Sequence, residues 1–198
     1  GKNYKKFKMV KLRSMVINAE AIGVDSTSIN DKRITKIGFI IRKFKIDELF
    51  QLWCVIIGDM SLVGPRPNVE RDVNLYTDEE KKILKIVPGI TDFSSIVFSD
   101  EGEILRDSLD PDLDYNQLIR PWKSRLALIY SENSNLILDF QIIILTILAL
   151  FNKKLSLKFV HKILKHKTND QNLLKIINRE SRLKPFPPPG SKTIVNKR

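Results

Sequence analysis

The sequence predicts an α+β fold, compact and mainly helical, with a few short strands. Three observations carry this. Apolar residues recur at helical spacing through 34–57, 119–130 and 136–151. Two stretches, 4–16 and 90–98, have strand character, and glycine–proline segments at 58–68, 88–89 and 184–190 break the chain between elements. With 198 residues and 42% apolar content, the chain is long enough for one well-packed core.

In order, Tyr4 to Val16 partly alternates basic and apolar residues and reads as a strand with one wet face. Asn18 to Asp31 is polar and reads as a loop or short helix. Residues 32–43 and 47–57 read as two helices, with Asp47 and Glu48 opening the second, where the helix dipole favours negative charge. GDMSLVGPRPN must be loop or extended chain. Asp78 to Val87 reads as a short helix stopped by Pro88-Gly89, Ile90 to Phe98 as a strand, and Asp100 to Asp114 as acidic loop and turn. Pro121 suits a first helical position, so 119–130 reads as a helix, followed by Leu136 to Phe151 and by a basic amphipathic helix from Leu155 to Lys165. KPFPPPG, 184–190, cannot fold regularly.

Charge divides the chain. The net charge of +11 lies wholly in residues 153–198, which hold 13 Lys/Arg against Asp170 and Glu180, leaving 21 of each sign in residues 1–152. The expected organisation is a neutral domain over 1–152 and a basic, partly helical, proline-rich tail over 153–198. Such a tail suits an anionic surface. With only Phe159 and Phe186 as aromatics in it, base stacking is poorly served and nucleic acid is not expected as a partner. Lys154, Lys158, Lys162 and Lys165 share one stripe, Leu155, Phe159, Ile163 and Leu164 another. That helix either lies on an anionic leaflet or packs one face on the body. The single cysteine, Cys54, lies in an apolar run and reads as a buried thiol; His161 and His166 alone do not make a zinc site. No run reaches the ~20 apolar residues of a spanning helix.

The chemistry concentrates in RKFKIDELFQLWCVIIGDMSLVGPRP, 42–67. Adjacent helical carboxylates point about 100° apart, so Asp47 and Glu48 would not share a proton, but both can reach one cation or one reacting group. One could attack phosphorus while the other binds Mg²⁺. A solvated first turn is the plainer reading of the dipeptide alone. Arg66, held between Pro65 and Pro67, and Arg42 upstream add donors of the kind that grip phosphate bidentately.

Taken together, these residues resemble the bacterial sugar transferases, the monotopic polyprenol-phosphate phosphoglycosyl transferases. The elements are D-x-R-I-T-x-x-G at 31–38, D-E-L at 47–49 and G-D-M-S-x-V-G-P-R-P at 58–67. K-x-R-S-M at 11–15, P-G-I-T at 88–91 and a closing helix with Asp139 and Thr146 complete the set, and the resemblance runs from about Gly1 to Lys153. It implies transfer of a sugar-1-phosphate from a nucleoside-diphosphate sugar, typically a UDP-sugar, to undecaprenyl phosphate, initiating polysaccharide or glycoconjugate assembly. Asp47 would be the nucleophile of a covalent phosphosugar-aspartate intermediate, Glu48 would help position Mg²⁺, and Lys11, Arg13, Arg42 and Arg66 would offset phosphate charge. The resemblance also implies a re-entrant membrane helix ahead of Gly1 and a place on the cytoplasmic face of the bacterial inner membrane. A homo-oligomer is compatible with the sequence.

The chain departs from the family pattern at Phe44-Lys45, Phe50 and Cys54, in Asp92-Phe93-Ser94-Ser95-Ile96 after P-G-I-T, and at Ser99, where a subgroup has arginine. These departures define the rival expectation, a degenerate homologue that binds membrane or partners without catalysis.

Overall fold

The computed structural model describes residues 1–19, 26–27, 31–44, 46–180 and 182–196; Lys45 and most of the expected 18–31 loop lie outside them. Helices dominate. They are α1 (Lys36–Lys43), α2 (Gln51–Ile56), α3 (Glu70–Asn74), α4 (Asp78–Lys81), α5 (Phe93–Val97), α6 (Glu101–Ile104), α7 (Pro111–Asp114), α8 (Arg120–Asn133), α9 (Leu136–Phe151), α10 (Lys153–Lys165) and α11 (Gln171–Ile177). Two three-residue strands, β1 (Ser61–Val63) and β2 (Gly89–Thr91), pair in parallel with Ser61 opposite Gly89 and Val63 opposite Thr91. The mainly helical α+β expectation holds.

The expected strand at 4–16 is extended chain with a single antiparallel bridge, Met15 to Ile34. It docks onto α1 instead. Thr35 caps α1 by accepting from the Gly38 amide, and Ser14 O accepts from the Thr35 amide at 3.1 Å. A Cβ at Gly38 would stand 1.9 Å from Ser14 O, so only glycine admits this crossing. The carboxylate of Asp31 grips the Arg33 guanidinium in a fork. The D-x-R-I-T-x-x-G element is therefore the clasp that fixes the N-terminal segment against α1.

Ile90 to Phe98 is strand only to Thr91. Asp92 accepts from the Ser95 amide at 2.8 Å and starts α5, whose Phe93, Ile96 and Val97 are fully buried. A side-chain cap overrides the β-branched composition here. The expected helix at 78–87 is one turn of α, α4, capped by a Thr77–Glu80 capping box, then a 3₁₀ turn. The acidic stretch 100–114 forms the short helices α6 and α7.

One core runs from Val63 to Ile177 and includes Phe93, Leu105, Ile119, Leu126, Ile142, Leu164 and Leu173. The C-terminal region is part of it. Leu157, Val160, Leu164, Leu173, Leu174, Ile176 and Ile177 are all buried, each contributing roughly 1.5–3 kcal/mol. A lysine near an anionic leaflet contributes only about 1 kcal/mol, so packing decides the orientation of α10. Lys154, Lys158, Lys162 and Lys165 remain exposed. Beyond α11, residues 182–196 strap back across the body. Phe186 stacks on Trp122 with ring centres 4.5 Å apart, Arg125 lies over both rings, and Thr77 donates to Pro189 O. Asp100, next to the exposed Ser99, takes Arg179 Nη2 at 2.6 Å and Lys153 Nζ at 2.8 Å, both from the C-terminal region.

The sheet is small, but it joins two sequence elements, V-G-P-R-P and P-G-I-T. A Cβ at Gly89 would stand 2.1 Å from Gly64 N and 2.5 Å from Val63 C. Gly89→Ala should therefore force the strands apart and lower stability by about 1–3 kcal/mol, read as a drop in the urea midpoint with an unchanged slope.

Candidate active site

Three elements converge where β1 ends: the extended segment 11–15, the turn before α2, and the strand pair. Asp47 and Glu48 do not open a long helix. They lie in a 3₁₀ turn, Ile46–Glu48, and α2 begins only at Gln51. Glu48 and Gln51 are three residues apart, a spacing that puts side chains on one face of a 3₁₀ turn or an α-helix alike, and both face Arg66.

Arg66 stands three residues beyond the end of β1, immediately after the buried Pro65, whose carbonyl accepts from the Gly89 amide at 2.9 Å; Pro67 follows, half-buried. Its guanidinium grips Glu48 bidentately, Nη1 to Oε2 at 3.1 Å and Nη2 to Oε1 at 3.3 Å. Nη1 also donates to Gln51 Oε1 at 3.1 Å and to the Ile90 carbonyl of β2 at 2.7 Å. One guanidinium thus ties the acidic turn, α2 and the sheet together. The expected clamp and metal-side carboxylate meet, and in this state they neutralise each other.

Asp47 is held differently. Its carbonyl accepts from the Leu12 amide at 3.4 Å, anchoring the turn to the basic segment. Its carboxylate Oδ1 is buried and has no hydrogen-bond partner among the described residues. Native proteins rarely leave a buried carboxylate oxygen unpaired, and such a group calls for an explanation, a catalytic role or a bound ion or water among them.

Lys11 lies within electrostatic reach of the cluster although its side chain is exposed by area. Crowding protein atoms push its pKa down from the ordinary 10.5, chiefly by desolvation. Arg66 and Arg42 add to this, while Glu48 and Asp47 oppose it. Arg13, two residues on along the same extended segment, is exposed. Arg42 is not on the acid pair. Its Nε donates to the buried Ser14 Oγ at 2.8 Å, bracing the same basic segment from α1.

The closing-helix residues support the site from behind. Thr146 donates its one hydroxyl hydrogen to Ile142 O, so Thr91 of β2 donates to Thr146 across 2.7 Å. Tyr130 donates to Asp139 at 2.7 Å and approaches Val63 O at 3.3 Å. Both contacts fix α9 to the strands that aim Arg66. Cys54 is fully buried, as its apolar run implied. The residue that sequence reasoning missed is Gln51, fully buried against Arg66. Its signal was its spacing, three after Glu48, which puts both on one helical face.

Glu48, Gln51 and Arg66 thus meet at the turn that carries Asp47, with Lys11 within electrostatic reach. Residues 1–153 match the bacterial sugar transferase family, and the chain belongs to it. It is 40% identical over 106 residues to the UDP-galactose-lipid carrier transferase of Erwinia amylovora, covering 46% of this chain and 22% of that one. It is 33% identical over 127 residues to the UDP-N-acetylgalactosamine-undecaprenyl-phosphate N-acetylgalactosaminephosphotransferase of Aeromonas hydrophila, covering 62% and 30%. It is 40% identical over 106 residues to the undecaprenyl-phosphate galactose phosphotransferase of Salmonella typhimurium, covering 46% and 22%. The chain spans less than a third of the length of these three relatives.

Proposed function

We propose that this chain carries the catalytic site of a phosphoglycosyl transferase, which moves a sugar-1-phosphate from a nucleoside-diphosphate sugar, UDP-linked, to polyprenol phosphate. The names of the three relatives support the reaction class. The observation that carries the mechanism is Oδ1 of Asp47, buried without a hydrogen-bond partner among the described residues and next in the chain to the Glu48 that Arg66 grips.

In this reading Asp47 attacks the β-phosphorus. A carboxylate-oxygen–phosphorus bond forms, the bond from that phosphorus to the bridging oxygen breaks, and the nucleoside monophosphate leaves with the electron pair. The phosphate oxygen of the polyprenol phosphate then attacks the same phosphorus, and Asp47 leaves as a free carboxylate. Arg66 and Lys11 supply positive charge toward the phosphoryl oxygens, where most of the stabilisation of such a transfer arises. Arg13 acts from the basic segment, and Arg42 from α1 by bracing Ser14.

Asp47 and Glu48 offer hard oxygen ligands that suit Mg²⁺, an ion that takes one or two carboxylates and fills its octahedron with phosphate oxygens and water. Among the described residues no three His, Cys, Asp or Glu side chains gather to cage an ion without the substrate. When bound, Mg²⁺ would neutralise charge on the diphosphate.

The proposed location is the inner face of the bacterial membrane. Among the described residues no helix is long and apolar enough to cross a membrane. Large apolar side chains nonetheless stand exposed on α1, α2 and α9, among them Ile37, Trp53, Ile56, Phe140 and Ile144, more than a free surface usually carries. These support contact with lipid.

The test is capture of the intermediate. Full-length protein incubated with a UDP-sugar and no acceptor should release UMP in a burst of about one equivalent. The peptide containing Asp47 should gain the mass of a phosphosugar. UMP release that requires the acceptor and leaves no adduct would sink the two-step mechanism.

A further inference from the structure

Gln51 is fully buried, and its two amide ends are in opposite situations. Oε1 accepts from Arg66 Nη1 at 3.1 Å. Nε2 is buried with no hydrogen-bond partner among the described residues. The amide cannot be turned round to relieve this, because Arg66 only donates and would then face a donor. Two N–H bonds are therefore held at the site with nothing to bond, a costly arrangement in a folded protein. The neighbouring orphan, Asp47 Oδ1, is an acceptor. One buried donor and one buried acceptor thus stand four residues apart in the chain, on either side of the Glu48 that Arg66 grips.

We propose that Gln51 is a substrate-contacting residue whose Nε2 donates to a phosphoryl oxygen of the group that Asp47 attacks, while Oε1 holds Arg66 in register. This rests on the phosphoryl-transfer reading above and adds a donor to it. A phosphoryl group is the ligand whose chemistry matches both orphans: its oxygens accept from the amide, and its phosphorus receives the carboxylate. Gln51 also sets direction. Arg66 is shared among Glu48, Gln51 and Ile90 O, so its charge is partly offset within the protein, whereas the Nε2 hydrogens have no competing acceptor among the described residues.

Two substitutions separate this role from a merely structural one. Gln51→Met keeps the volume and removes both polar ends. Gln51→Glu keeps an acceptor for Arg66, strengthens that bond with charge, and removes the donor while setting a carboxylate against the phosphoryl oxygens. With UDP-sugar and undecaprenyl phosphate, Gln51→Met should lose about 10- to 100-fold in kcat/KM, the loss expected for a hydrogen bond to a charged group. Gln51→Glu should fall at least tenfold further, with its thermal midpoint kept. The burst of UMP without acceptor should slow in the same order. If Gln51 only braces Arg66, the order reverses and Gln51→Glu is the more active; that result, or wild-type turnover in both, overturns the proposal. Should Gln51→Met fail to fold, Gln51→Glu against wild type decides alone: a loss of 100-fold or more supports the contact, near-normal turnover removes it. Asp47→Asn run alongside distinguishes the two readings. An active Asp47→Asn with impaired Gln51 variants sinks the nucleophile and leaves the amide contact. An inactive Asp47→Asn with normal Gln51 variants does the reverse.

Discussion

Asp47→Asn is expected to reduce turnover by on the order of 10³-fold or more, as loss of a nucleophile does where no other group takes its place, while leaving the protein at least as stable as before. The two halves of this expectation come from one observation. Oδ1 is buried without a hydrogen-bond partner among the described residues, so the folded chain carries the cost of a carboxylate denied part of its hydration. An amide of the same shape has no charge to desolvate. Its backbone role, accepting from the Leu12 amide, is untouched. Arg66 stays bound to Glu48, Gln51 and Ile90 O. Donor binding, which depends on those cations, should survive the change, so the loss should fall on kcat rather than on the affinity for the UDP-sugar. An ordinary structural acid would behave in the opposite way, losing stability and keeping activity. The measurement is a thermal midpoint beside UMP release. An Asn variant that turns over like wild type, or one that melts several degrees early, contradicts the assignment.

How much of this was readable beforehand depends on the range of the forces involved. Helix α9 forms over Leu136–Phe151 as its sequence implied, because a long apolar run behind an Asn135 cap is a local signal. Pro121 likewise stands at the start of α8. Phe93 to Val97 misled by composition; its Asp92 cap, written as D-x-x-S, was the stronger signal. Helix α11 went unread because it is only seven residues long: Leu173, Leu174, Ile176 and Ile177 are buried and Gln171, Asn172 and Lys175 exposed, a pattern of about two turns, too short for helical periodicity to stand out. At the site, the motif elements were legible and their grouping was not. Arg42 lies close to the acid pair in sequence yet turns to Ser14. Arg66 lies 18 residues from Glu48 and grips it. Gln51 was unremarkable until Arg66 was seen to bond both it and Glu48.

Glu80→Ala should destabilise the fold by about 3–5 kcal/mol, the typical result of removing one partner from a buried ion pair. Glu80 is fully buried, and every acceptor site on its carboxylate is used. Arg120 donates through Nε at 3.0 Å and Nη2 at 2.6 Å, Ser124 Oγ donates at 2.7 Å, and the Thr77 amide donates at 3.0 Å to close the capping box of α4. Arg120 is itself buried, bonded to Asn116 Oδ1 and Leu75 O and lying over the Tyr76 ring. Alanine would strand that guanidinium at 2% exposure with its main counter-charge gone. Against a total stability of about 5–15 kcal/mol for a domain, this is enough to leave a sizeable unfolded population at 37 °C. The pair need not be net stabilising for this to hold. The cost arises from the charge left behind, so removing it as well should recover much of the loss. The double variant Glu80→Ala/Arg120→Met is therefore expected to be more stable than Glu80→Ala alone, by 1 kcal/mol or more on the double-mutant scale. Urea midpoints for wild type, both single variants and the double variant close the cycle; additive losses would mean that Glu80 acts through the α4 cap and not through Arg120.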